Sequence, residues 1–93
     1  MGQISLDSSV EISDDAIFRE MDGEAVILNL ESGTYFGLDP VGTRIWQLLE
    51  QDGSLRIVFE RMRQEFDVEP EVLERDLLRL VGQLAEKGLG TIA

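Results

Sequence analysis

Up to residue 38 of this 93-residue chain, apolar side chains tend to alternate with polar ones; beyond residue 40 they recur at helical spacing. An N-terminal arm over 1–13 holds two brief alternating patches, Ile4-Ser5-Leu6 and Val10-Glu11-Ile12, each long enough for a short strand. Ala16–Met21 is the first full strand. It ends at Asp22-Gly23, a pair that suits a type I′ hairpin because both central positions need positive φ. Glu24–Leu30 is the second strand. Val26, Leu28 and Leu30 line one face, while Ala25 and Ile27 make the other apolar too. A strand apolar on both faces is usually covered on both, or lies centrally in its sheet. Gly33 suits the left-handed position of a three-residue loop with a bulge. Thr34–Leu38 is the third strand, with Phe36 and Leu38 pointing one way and Tyr35 and Gly37 the other. Three consecutive antiparallel strands form a meander in the order 1-2-3. The third is then an edge unless the arm covers it.

Asp39-Pro40 opens the first helix, with Asp as N-cap and Pro at the first helical position. Val41, Ile45, Leu48 and Leu49 form its apolar stripe, with Trp46 flanking it, and Gly53 ends it. The second helix runs from about Ser54 to Phe66, with Leu55, Val58, Phe59, Met62 and Phe66 at helical spacing. The third starts at Pro70, runs to Lys87 and stops at Gly88, a residue suited to the left-handed C-terminal position. Leu89 and Ile92 are expected to fold back onto the core. Strands followed by helices make an α+β fold. The short link between the second and third helices makes it winged helix-turn-helix-like, with an N-terminal three-stranded antiparallel sheet followed by three helices. The whole of 1–93 reads as one domain, with 1–9 a loosely ordered or strand-forming arm.

The third helix carries an unusually wide apolar arc. From Val72 round through Leu73, Leu77 and Leu80 to Leu78, it covers about two thirds of the circumference. A surface helix needs a stripe of only about 100°. Either the other helices cover the excess, or it forms a groove for another chain. One flank offers Val72, Asp76 and Leu80 beside Arg75 and Arg79; the opposite flank offers Leu78 and Ala85. The first sets charged partners beside apolar anchors, but the sequence leaves both open. An exposed edge strand invites pairing with an extended chain. Phe36 belongs to the core by its parity, while Tyr35, on the opposite side, can flank such a chain.

Composition narrows the chemistry. With neither cysteine nor histidine, the chain has no disulfide, thiolate metal site, Cys nucleophile or imidazole base. Asp14-Asp15 and Glu69/Glu71 are paired carboxylates, but they sit at a turn and a helix start, where acids cap and complement the dipole. No signal-like or membrane-length apolar run occurs, so the expected location is the cytoplasm. The net charge is −11, with −9 of it in residues 1–53. Such a surface repels a phosphate backbone. Arg56, Arg61 and Arg63 give the second helix a weak basic face, read as solvated.

The run Leu28-Asn29, Glu31-Ser32-Gly33, Tyr35-Phe36, Leu38-Asp39, Val41-Gly42 and Ile45-Trp46 resembles the PqqD-like family. A weaker second match is Val68-Glu69-Pro70-Glu71-Val72 with Asp76-Leu77, in which Glu69 replaces the expected capping Asp. The resemblance covers about residues 10–90. Members of this family are RiPP precursor-peptide recognition elements, including the chaperone of pyrroloquinoline quinone biosynthesis and the stand-alone elements of lasso-peptide clusters. The resemblance implies a non-catalytic domain, without cofactor or metal, that binds the leader segment of a ribosomally made precursor peptide. The leader adds antiparallel to the third strand and packs on the third helix. Carried over, the peptide-binding residues are Thr34, Tyr35, Phe36 and Gly37 on the strand and Val72, Leu73, Arg75, Asp76, Arg79 and Leu80 on the helix. The implied second partner is a processing enzyme: a leader peptidase acting with a cyclase in lasso clusters, or a radical-SAM enzyme in others. Neither nucleic acid nor membrane is an expected partner. The alternatives are a winged-helix DNA-binding regulator and a scaffold subunit that contacts only the processing enzyme. The first requires a basic third helix, whereas this one sets Glu71, Glu74, Asp76 and Glu86 against Arg75, Arg79 and Lys87.

Overall fold

The computed structural model describes residues 4–93. Asp22 and Gly23 adopt φ of +57° and +82°, joining β2 (Ala16–Met21) to β3 (Glu24–Asn29) in a tight hairpin. After a turn, β4 (Tyr35–Leu38) completes a sheet in the order β2-β3-β4. The expected third strand therefore starts one residue later and ends as expected at Leu38, and Thr34 lies just before it. In register, Ile17, Leu28 and Tyr35 form one cross-strand row, and Phe18, Ile27 and Phe36 the next. Successive rows point to opposite faces.

Three helices follow: α1 (Pro40–Gln51), α2 (Leu55–Glu65) and α3 (Pro70–Glu86). Asp39 caps α1 through its side chain to the Gly42 N–H, and Ser54 caps α2 to the Ile57 N–H. Glu69 precedes α3 without a side-chain capping bond. The inner row of the sheet packs on the helices around Ile27, Ile45, Trp46, Leu55, Met62, Leu77 and Leu84, all almost fully buried. Each contributes about 1.5–3 kcal/mol on leaving water. Trp46 is central to this core, not a flanking residue, and its ring stacks on Phe18 with centroids 6.2 Å apart. The α+β, winged-helix-like expectation holds, with the sheet preceding the helices.

Leu89 folds back into the core as expected, and Ile92 packs against it. The C-terminal return is a strand, β5 (Gly90–Ile92), which pairs antiparallel with β1 (Val10–Ile12) in a separate two-stranded sheet. Ile4-Ser5-Leu6 is not a strand; Leu6 instead tucks into the core at a turn. Of the two readings of the doubly apolar strand, the central one holds: β3 lies between β2 and β4, with its outer face uncovered. Ala25, Ile27 and Asn29 are buried, but Val26 and Leu30 are 42% and 57% exposed. The helices pack on one face, and no described element crosses the other.

Candidate functional site

The turn before β4 is held by one side chain. Asn29, only 4% exposed, accepts at Oδ1 from the N–H groups of Glu31 (2.9 Å) and Ser32 (3.3 Å). Its carbonyl accepts from the Gly33 N–H at 2.7 Å. Gly33 sits at φ +75°, the left-handed region where a side chain is disfavoured. Asn29 Nδ2 donates to the Lys87 carbonyl at 2.8 Å, tying this turn to the end of α3.

The same turn fixes which backbone groups of β4 are free. The Asn29 N–H donates to the Thr34 carbonyl at 2.9 Å, so Thr34 turns its carbonyl toward β3. Antiparallel ladders alternate inward and outward groups along each strand. Phe36 and Leu38 therefore bond inward to β3, while the N–H and C=O of Tyr35 and Gly37 face the open edge. No strand pairs with that edge among the described residues. Tyr35 is 71% exposed, and the Thr34 hydroxyl lies 2.8 Å from that of Ser32.

Across from this edge runs α3. Between them lies a groove of about 560 Å³. Phe36, Gly37 and Leu38 line one side, and Val72, Leu73, Asp76, Arg79 and Leu80 the other. Ile45 and Met62 reach its floor, and Phe66 and Val68 its end. Of the two helix flanks left open above, the one with Val72, Asp76 and Leu80 shares the groove with β4. Ala85 instead lines a more polar hollow of about 630 Å³ beside β1 and β5, away from the open edge. The volumes are similar; what distinguishes the first site is an unpaired strand edge set beside an apolar helix flank.

Seven of the ten expected residues meet in the groove: Phe36, Gly37, Val72, Leu73, Asp76, Arg79 and Leu80. Thr34, Tyr35 and Arg75 lie outside its lining. Leu73 is buried beneath it, while Val72 is 40% exposed at its lip. Asp76 accepts from Arg79 Nη2 at 2.5 Å, and Arg75 Nε stands 3.8 Å from the same oxygen. This cluster leaves one carboxylate shared by two guanidinium groups beside apolar anchors. Sequence reasoning missed Phe66 and Val68 as lining. The local signal for them was two apolar residues at a helix exit and in the link beyond it. Asp14 and Asp15 occupy a turn, and no cluster of three acids suited to a metal occurs among the described residues.

The PqqD family, described as coenzyme PQQ synthesis protein D, matches residues 24–89. Two solved structures are similar in fold and sequence. TbiB1 in complex with the TbiA(β) leader peptide superposes with a TM-score of 0.80 at 41% identity, covering 86% of this chain and 93% of that one. Lasso peptide synthetase B1 complexed with the leader peptide superposes with a TM-score of 0.78 at 28% identity, covering 89% and 98%. No curated protein matches the chain. The family match runs from β3 through α3 and so takes in both walls of the groove, and the chain belongs to the PqqD family.

Proposed function

We propose that this protein binds the leader segment of a ribosomally made precursor peptide, of the lasso type, and presents it to a processing enzyme. The leader adds antiparallel to β4, bonding to the free backbone groups of Tyr35 and Gly37. Its alternate side chains enter the groove against Val72, Leu73 and Leu80, and Asp76 and Arg79 read polar groups at the lip. The carrying observation is an unpaired strand edge that shares an apolar groove with a helix, the arrangement strand addition needs. The two similar structures were both solved with leader peptides, which supports the reading. The role is binding, not catalysis: the chain has neither His nor Cys, and both carboxylates of the groove are engaged, Asp39 in capping α1 and Asp76 with arginine. The enzyme served is a leader peptidase acting with a cyclase.

Micromolar binding corresponds to about −8 kcal/mol. A flexible leader also loses conformational freedom on binding, so buried apolar anchors must supply most of the affinity. Calorimetric titration of the cognate leader into wild type and Leu80→Asp tests this. Leu80 is only half-buried, so the variant should fold, and its Kd should rise about tenfold or more. Absence of heat with wild type, together with failure of the leader to compete with a labelled copy, would remove the peptide-binding role.

A further inference from the structure

The outer face of the β2-β3-β4 sheet has no cover among the described residues. Across it run the row Ile17, Leu28 and Tyr35, then Arg19, Val26 and Gly37, then Met21 beside Glu24. Met21 is 78% exposed, Leu30 57% and Val26 42%. Exposed large apolar residues scattered singly are ordinary, whereas a contiguous set marks an interaction surface. By register Val26 lies between Leu28 and the Met21 end of the sheet, and Leu30 follows just past the end of β3. Met21, Val26 and Leu30 do not line the groove, and the face meets it at Gly37.

The border of this face is acidic at both ends. Asp22 and Glu24 flank Met21 at the hairpin end. Glu31 follows Leu30 at the other, where the Asp15 carbonyl accepts from the Leu30 N–H at 2.9 Å. Between residues 14 and 39 there are seven acids and one base, Arg19. A second copy stacked on this face would bring its acidic border against the same acids, and like-charge contact disfavours that pairing. A surface with an apolar centre and a Lys/Arg border is complementary.

We propose that the outer sheet face is the docking surface for the leader-processing enzyme, through an apolar, basic-bordered patch on that enzyme. This rests on the leader-binding reading. A leader added to β4 widens the same sheet by one strand, so the docked enzyme borders the bound peptide directly. One domain thus separates two tasks by face: the inner side of β4 holds the leader, and the outer side holds the enzyme.

The test uses the full chain, the cognate precursor and the purified leader peptidase encoded with it. Val26→Ser with Leu30→Ser removes two exposed apolar contacts, and Glu24→Lys reverses a border charge. For each, leader Kd is measured by anisotropy, and the protein concentration giving half-maximal leader cleavage is measured separately. The double variant should keep leader Kd within about twofold yet need about tenfold more protein for half-maximal cleavage. Glu24→Lys should need more protein too, with the difference narrowing as salt screens the border. Unchanged half-maximal cleavage would overturn the proposal. So would equal loss of leader affinity, which would place the face in the leader site, or a wild-type dimer on sedimentation that the double variant dissolves. If wild type binds no leader, the parent reading fails first, and that outcome is distinct from all of these.

Discussion

The Asn29 side-chain amide bridges 58 residues of chain to donate to the Lys87 carbonyl at 2.8 Å. One end of this side chain shapes the turn that launches β4, and the other holds the end of α3. The two walls of the groove are therefore joined through a single buried amide. Removing it as Asn29→Ala leaves two turn N–H groups and one helix-end carbonyl without that partner. An unmade buried bond costs about 1–3 kcal/mol, so urea denaturation should fall by about 2–3 kcal/mol. Trp46, the chain's only tryptophan, reports the transition by its emission. Leader affinity should fall along with stability, since both walls shift.

Proline placement reads the parity of β4 directly. Tyr35→Pro removes an N–H that faces the open edge, so the domain should stay folded while leader binding weakens by about tenfold. Phe36→Pro removes an N–H bonded to β3 and should cost about 1–3 kcal/mol of stability. Circular dichroism melts of the pair check the contrast. Equal melting points would mean the outward and inward groups are assigned to the wrong residues.

Gly53 is needed for proximity. A Cβ built there would lie 2.2 Å from the Val10 carbonyl oxygen, and the Val10 N–H already donates to the Gly53 carbonyl at 2.8 Å. Gly53→Ala must push the β1 strand away from the α1–α2 link. Overpacking of this kind costs about 1–3 kcal/mol, to be read as a lower thermal midpoint.

Arg44 grips Glu65 with two parallel bonds, Nε to Oε1 at 2.7 Å and Nη2 to Oε2 at 2.8 Å. The bond from Arg44, with its charge, holds the Glu65 carboxyl below the ordinary glutamate range. A depressed folded value means stability that is fully present above the unfolded value and lost as pH falls through the folded one. Both side chains are about one third exposed, so the pair contributes at most about 1 kcal/mol. The melting-point gap between wild type and Glu65→Gln should be open at neutral pH and close as pH falls below about 4.3. A gap that persists in acid would mean packing, not charge, separates the two proteins.

Much of the chain's local form was legible before any coordinates. Asp22-Gly23 and Gly33 make their turns with positive φ, Asp39 and Ser54 cap their helices, and α3 starts at Pro70 and stops just short of Gly88. Each of these signals depends on neighbours within a few residues, where φ preference and capping chemistry act. The strand-edge part of the candidate site was legible in the same way, because alternation alone separates Tyr35 and Gly37 from Phe36 and Leu38.

The rest was decided by contacts across the chain. Val10 finds Ile92 in register, a pairing that three-residue strands are too short to announce. The third helix's wide arc was plain in sequence, but only packing turned the Val72–Leu80 flank toward β4 and the Ala85 flank away. Likewise β3 is apolar on both faces, yet the helices cover only one. Side-chain pattern sets which faces are apolar, whereas tertiary packing decides which of them stays open. In this protein both the groove and the outer sheet face are such open surfaces.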